Sequence, residues 1–254
     1  MSVAYPLDLS VVIPAWNEAE SLEETIDRIG DALHATEARG FAWEIVVCDN
    51  GSTDDTPEIA RRAGARVTFE AERGIARARN AGARVARGEW LLFIDADTHP
   101  PPELLSEVRD LVRETDIVGC GSMMRPVGGE LWMRAKIRRD NIILWLFGLA
   151  PGVFLLCRHD AFRAIGGFNV DLPAGEEIGF VIRLRSYGFI RGLSFRVLRR
   201  HPVVTSARTK GGMVTMIVSY FVGIVILLAN TLLPKQLRIR GGWKLLDFWY
   251  SPRR

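Results

Sequence analysis

The stretch Gly74–Thr98, GIARARNAGARVARGEWLLFIDADT, decides the fold class. Its alanine- and arginine-rich first part predicts a helix ended by Gly88. The run WLLFID then drives an unbroken apolar segment into Asp95 and Asp97. A short run with no polar alternation reads as a strand covered on both faces, as in a parallel sheet. The same unit recurs on both sides. LSVVIP, from Leu9 to Pro14, is a first strand. EAESLEETIDRIGDALHA follows with Leu22, Ile26, Ile29 and Leu33 at helical spacing, and Ser21 with Glu24 matches a capping pair. WEIVVCD and RVTFE are further strands. TPEIARRAG is a short helix with Pro57 in its first turn and Gly64 past its end, and PPELLSEVRDLVRE is another helix begun by proline. This alternation predicts an α/β fold built on a Rossmann-type, mostly parallel sheet flanked by helices. In such sheets ligands bind beyond the carboxyl ends of the strands. Asn17, Asp49, Asp95 and Asp97 all fall at or just past such ends.

The totals agree with a globular protein. The chain has 254 residues, 48% of them hydrophobic and 25% charged, enough for one large domain or a domain with an appendage. A net charge of only +3 argues against a dedicated nucleic-acid binder. Cys48, Cys120 and Cys157 are far apart and sit among apolar residues, which predicts buried thiols in a reducing compartment. MSVAYPLDLSVVIP lacks the basic and long apolar segments of a secretory signal, so the body of the protein is expected in the cytoplasm.

The second half is less regular. DIVGCGSMM is a strand. ELWMRAKIRRDNIILWLFGLAPG mixes bulky apolar residues with a basic cluster. VFLLCRHDAFRAIGGF reads as strand, short helix and glycine turn, and GEEIGFVIRLRSYGF as a loop feeding a helix. LSFRVLRRHPVVTSARTK reads as a strand and a basic connector. From Gly211 to Pro234 no side chain is charged, and a basic tail follows. The expected organisation is a domain over 1–210, with a nucleotide-binding half to about 100 and an acceptor half beyond. A hydrophobic helix over 211–234 and a basic tail over 235–254 complete it.

A D-x-D triplet alone says little, because acids at strand ends often cap the next helix. Here it stands between VVIPAWNE and EIVVCDNGSTDDT upstream and GGFNVDLPAGEEIGFVIRLRSYG downstream. Together, and in this order from about Leu9 to about Arg208, these motifs resemble the family 2 glycosyltransferases. Those are inverting enzymes that use nucleotide sugars on a GT-A fold. The resemblance implies that Pro14, Asn17, Glu18, Asp49, Asn50 and Ser52 line a nucleoside pocket. Asp49 would accept from the base, and Asn50, in place of a commoner acid, would give a neutral contact. Asp54 matches a further family acid or, with Asp55, caps the helix after Thr56. Arg79, in the ARN-x-G pattern, would steady the nucleotide.

In the family the last acid of the triplet binds the metal, here Asp97, and the first, Asp95, lies nearer the ribose. Mg²⁺ or Mn²⁺ suits such a site, because hard cations take one or two carboxylates plus phosphates and water. His201 falls where some members supply a third ligand. Inversion needs a carboxylate to take the acceptor's proton. The family's motif is Gly175-Glu176-Glu177 here, with either glutamate able to serve. No Q-x-x-R-W box follows, so a single transfer per acceptor is expected.

The uncharged run over 211–234 is long enough, at roughly 1.5 Å per residue, to cross a bilayer or to lie along it. With Arg134, Lys136, Arg138 and Arg139 beside Trp132, Trp145 and Phe147, it suggests contact with the cytoplasmic membrane surface. The donor would be UDP- or GDP-linked, and the acceptor a polyprenyl phosphate or glycolipid. A sugar nucleotidyltransferase is disfavoured, since VVIPAWNEAE has no glycine-rich first loop. A membrane-associated scaffold on a dead transferase fold is opposed by the intact acids.

Overall fold

The computed structural model describes residues 5–37, 40–128, 131–172 and 175–206. The helix expected over 211–234 and the tail over 235–254 lie outside them.

The chain runs β1 (Leu7–Ala15), α1 (Leu22–Glu37), β2 (Trp43–Asp49), α2 (Thr56–Arg62), β3 (Arg66–Phe69), α3 (Ile75–Val85) and β4 (Gly88–Ile94). It continues with β5 (Thr98–His99), α4 (Pro102–Leu111), β6 (Ile117–Val127), α5 (Leu131–Leu146), β7 (Phe154–Arg158), α6 (His159–Ala164), α7 (Glu176–Ile190) and β8 (Ser194–Ser206). One sheet takes the strands in the order β3-β2-β1-β4-β7-β6-β8-β5. The pairs β2–β3, β1–β2, β1–β4 and β6–β8 are parallel. The expected mostly parallel α/β sheet is therefore present. Antiparallel pairs enter in the second half, where β7 lies between β4 and β6, and β5 edges β8.

Strand alternation splits the core into two layers. Val11, Ile13, Leu92 and Ile94 point to one side and meet Leu22, Ile26 and Ile29 of α1 with Leu104, Leu105 and Val108 of α4. Val12, Leu91 and Phe93 point to the other and meet α3, Phe162 of α6, and Phe180 and Leu184 of α7. Phe93, Phe162, Phe168 and Phe180 form an aromatic knot there, with Phe168 stacked on Phe180 at 4.2 Å.

The small residues of α3 have a packing reason. Ala76, Ala78, Ala81 and Ala83 are buried, and a Cβ on Gly82 would stand 2.4 Å from Cγ1 of Val12. The helix therefore lies close on the sheet, which carries the long side chain of Arg79 under the strand ends.

Three local readings change. Gly88 does not end α3; it opens β4. The helix stops at Val85, and the buried hydroxyl of Ser10 accepts from the N–H groups of both Arg87 and Gly88. A Cβ at Gly88 would meet the Ser10 nitrogen at 2.3 Å, so the glycine serves close approach between β4 and β1. Ser21 donates to Glu18 at 3.2 Å, where the capping pair pointed to Glu24. The basic connector after LSFRVL belongs, as far as Ser206, to β8, which pairs with β6 on both sides of a bulge. Leu198 faces Ser122, and Val203 faces Met124. Pro202, without an N–H, falls in that unpaired stretch.

Candidate active site

The loops after β1 and β2 interlock through neutral and singly charged hydrogen bonds. Asn17 takes φ 52°, a left-handed conformation that asparagine tolerates. Its N–H donates to Ser52 Oγ at 3.0 Å, and its Oδ1 accepts from the Thr53 N–H at 2.8 Å. The Glu18 N–H donates to Thr56 Oγ1. Asp54 accepts from Ala19 and Thr56 N–H groups, so the family acid at this position staples one loop to the other. Asp55 is the N-cap residue of α2 without a side-chain cap bond. Buried Asp49 accepts from the Ser52 N–H through Oδ1. Asn50 donates to the carbonyls of Glu70 and Glu72 and accepts from the Gly74 N–H. Its amide therefore shapes the loop before α3. Pro14 sits in β1 opposite Cys48.

The second cluster is charged. Arg79 is 2% exposed. Its Nη2 lies 2.8 Å from Asp95 Oδ1, its Nη1 2.9 Å from Glu176 Oε1, and Nη2 also donates to the Gly152 carbonyl at 3.1 Å. One guanidinium thus joins the first acid of the triplet to the first acid of the GEE motif. Glu176 is buried and opens α7 behind Gly175, whose φ of 74° suits glycine. Glu177 is half-buried. Gly152 packs against it, since a Cβ there would stand 2.9 Å from the Glu177 Cβ and Cγ.

Electrostatics follow from burial and crowding. Burial pushes the Glu177 carboxyl up to about 8; Glu176 and Asp95 add to this while Arg79 opposes it. Burial raises the Asp95 carboxyl as well, partly countered by Arg79 and reinforced by Asp97. Arg79 would lose its proton more easily from burial alone, yet the surrounding acids hold its pKa above the ordinary value. The site carries more acid than base, and burial favours the protonated form of Glu177.

Of the residues expected from sequence, Asn17, Glu18, Asp49 and Ser52 gather at the first cluster, and Arg79, Asp95, Glu176 and Glu177 around the second. His201 goes elsewhere: its Nδ1 lies 3.4 Å from Glu107 Oε2 of α4. Sequence reading missed others. Arg73 lies over the Trp16 ring at 4.0 Å and donates to the Gly51 carbonyl, which sets a guanidinium beside the first cluster. Its neighbour Gly74 was the available signal. His99 stands two residues beyond Asp97, a D-x-H pattern that was readable, and feels the charges of Glu24, Arg28 and Asp97. Burial lowers its pKa, and its Nε2 is buried without a hydrogen-bond partner.

These residues fit a divalent cation. Among the described residues no group of three or more His, Cys, Asp or Glu forms a metal cage. A half-buried Asp97, an acid excess and the orphaned nitrogen of His99 make instead the sparse donor set that suits a cation shared with phosphates.

Residues 10–166 match the family model described as Glycosyl transferase family 2. Glycosyltransferase AglE of Haloferax volcanii is 27% identical over 213 residues, covering 76% of this chain and 66% of that protein. A dolichol-phosphate mannosyltransferase of Pyrococcus furiosus is 32% identical over 121 residues, 46% of this chain and 33% of that protein. The chain thus spans between about a third and two thirds of the length of these curated relatives. The mannosyltransferase PcManGT from Pyrobaculum calidifontis, solved with GDP-Man and Mn²⁺, has a TM-score of 0.64 and 21% identity, covering 88% of this chain and 66% of that one. At that identity the likeness shows the fold, and the fold is GT-A-like.

Proposed function

The chain belongs to glycosyl transferase family 2, and from that premise we propose that it moves one sugar, with inversion, from a UDP- or GDP-linked donor to a lipid-linked acceptor. The acceptor class is a glycolipid hydroxyl or a polyprenyl phosphate, the latter suggested by the name of the Pyrococcus relative, met at the cytoplasmic face of a membrane. The observation that carries this reading is Arg79, which ties Asp95 on the donor side to Glu176 on the acceptor side.

The loops after β1 and β2 hold the nucleoside. Asp49, with Oδ1 on the Ser52 N–H, offers its other oxygen to an imide or amide of the base. Arg73, already over Trp16, is placed to meet the nucleotide's anionic part. Asp97 is the cation ligand of this reading, with Asp95 and His99 beside it. A bound Mg²⁺ or Mn²⁺ would neutralise the diphosphate and stabilise its charge as the leaving group. Glu177 is the general base. From a hydroxyl acceptor it takes the proton as the oxygen attacks the sugar from the face opposite the diphosphate; a phosphate acceptor arrives already ionised and needs no base. The Glu177 pKa of about 8 suits that task better than an ordinary carboxylate, because a stronger base takes a proton more readily. Glu176, held by Arg79, is a positioning residue that fixes the start of α7.

Purified protein should be stabilised against heat by a UDP- or GDP-sugar only with Mn²⁺ or Mg²⁺, and should slowly release the nucleoside diphosphate. Asp97→Asn should abolish the metal-dependent part of both. Retention of both in that variant would defeat the reading.

A further inference from the structure

The outer surface beside the GEE helix carries apolar side chains that the core does not need. α5 is pinned inward by Met133 and Ile137, and by Asn141, which bonds both the N–H and the carbonyl of Met124 in β6. Its opposite face ends in Ile142, Trp145, Leu146 and Phe147, all exposed, Phe147 at 68%. α7 buries Phe180, Val181, Leu184 and Gly188 and turns Ile182 and Phe189 outward, Phe189 at 87%. The two faces meet: Arg185, between Ile182 and Phe189 on the same helix side, donates to the Phe147 carbonyl at 2.6 Å. Soluble surfaces rarely leave so many large apolar groups together without an occupant.

The charges around them are mainly basic. Arg134 and Arg138 are exposed on the outer side of α5, Arg185 lies between the helices, and the Arg199 guanidinium covers the Trp145 ring at 4.7 Å. The acid of α5, Asp140, is answered by Lys136 and Arg139. Apolar and aromatic groups rimmed by arginine are the chemistry of a helix lying in a negatively charged bilayer surface.

We propose that the outer faces of α5 and α7 form a docking surface for an anionic lipid bilayer. This rests on the reading of the site as a transferase with a lipid-linked acceptor, and it names how that acceptor arrives. Ile182 is five residues beyond Glu177, about 7.5 Å along the helix axis. A lipid whose tail stays in the bilayer beside α7 therefore brings its head group to the base without leaving the membrane.

Cys48, Cys120 and Cys157 are all buried, so one introduced surface cysteine can be labelled alone. The test uses the full chain carrying Phe189→Cys with a polarity-sensitive fluorophore, and Arg62→Cys on α2 as the control site. Adding phosphatidylcholine vesicles that contain phosphatidylglycerol should shift the Phe189→Cys emission to the blue, with little shift on pure phosphatidylcholine and none at Arg62→Cys. The double variant Phe147→Ser/Phe189→Ser should bind the anionic vesicles about tenfold more weakly. Its metal-dependent release of nucleoside diphosphate in vesicle-free buffer should be unchanged. Vesicle binding with no shift at Phe189→Cys would overturn the proposal. So would emission already blue without vesicles, because residues 211–234 or a second copy would then cover the face. Loss of nucleotide release in the unaltered protein, with the vesicle shift intact, would overturn the transferase reading and leave the docking surface standing.

Discussion

Two polar clusters stand at the carboxyl ends of the strands, and they are built on opposite principles. Around Asn17, Ser52, Asp54 and Asn50, side chains and backbone satisfy each other with neutral or singly charged hydrogen bonds. Around Arg79, one guanidinium serves Asp95 and Glu176 while Glu177 stands near them with a raised pKa. The first cluster makes a shape. The second holds an imbalance of charge. Motif residues of both kinds look alike in a sequence, and only the second kind is expected to carry chemistry.

The largest break in that contrast is Arg79→Met. It leaves Asp95 and buried Glu176 without their partner and should lower unfolding free energy by about 3–5 kcal/mol in a denaturant titration. Arg79→Met/Glu176→Leu should recover most of the stability and none of the transfer. Full transfer in the double variant would mean that the charged cluster is structural only. Glu177→Gln comes next, with transfer to a hydroxyl acceptor down about 10²–10⁴-fold and donor-induced thermal stabilisation retained.

The same residue predicts a pH signature. Its folded pKa of about 8 lies above the ordinary glutamate value of 4.5, so folding favours the protonated form. That contribution to stability is complete below the ordinary value and is lost as pH rises through about 8. The rate of transfer to a hydroxyl acceptor should climb over the upper part of the same window. Melting curves from acid to mildly alkaline pH should show Glu177→Gln gaining on the unaltered protein, and a constant difference would refute the assignment.

A smaller effect is expected of Gly152→Ala, whose Cβ would press on Glu177. We expect kcat to fall about tenfold with little change in KM for the donor, through misplacement of the base. The smallest effect on chemistry belongs to the neutral cluster. Asn50→Ala strands the carbonyls of Glu70 and Glu72 and the Gly74 N–H, and should cost about 1–3 kcal/mol of stability. Turnover per folded molecule should change less than in the other variants. A selective loss of turnover at full stability would blur the distinction between the clusters.

The legible parts of the molecule were those decided locally. LSVVIP, WEIVVCD and WLLFID are strands because buried apolar runs have few alternatives, and the acids beyond them stand where the runs stop. The end of α3 was not legible, because the group that ends it is Ser10, on β1. Arg79 was legible through the ARN-x-G pattern, but its bridge between two acids was not, since Glu176 lies 97 residues away. His201 looked available in a basic segment, and its partner Glu107 belongs to a different helix. Asn50 looked like a pocket contact until the 70–74 loop took its amide. Each of these pairings runs across the fold, which periodicity cannot encode.

The reversed direction of β7 has a consequence for how such a molecule can diversify. Because β7 runs antiparallel to β4, the chain re-enters the sheet at the edge where the triplet emerges, and Gly152 arrives opposite Glu177. Everything between β6 and β7 is thus a detour that leaves and returns at the same end of the sheet. Apart from Gly152, its length and composition can change without disturbing the order β3-β2-β1-β4, where the proposed nucleotide loops stand. On the proposed reading, a lineage could retarget the protein to new acceptors by rewriting this one excursion around Gly152 while inheriting the donor loops intact.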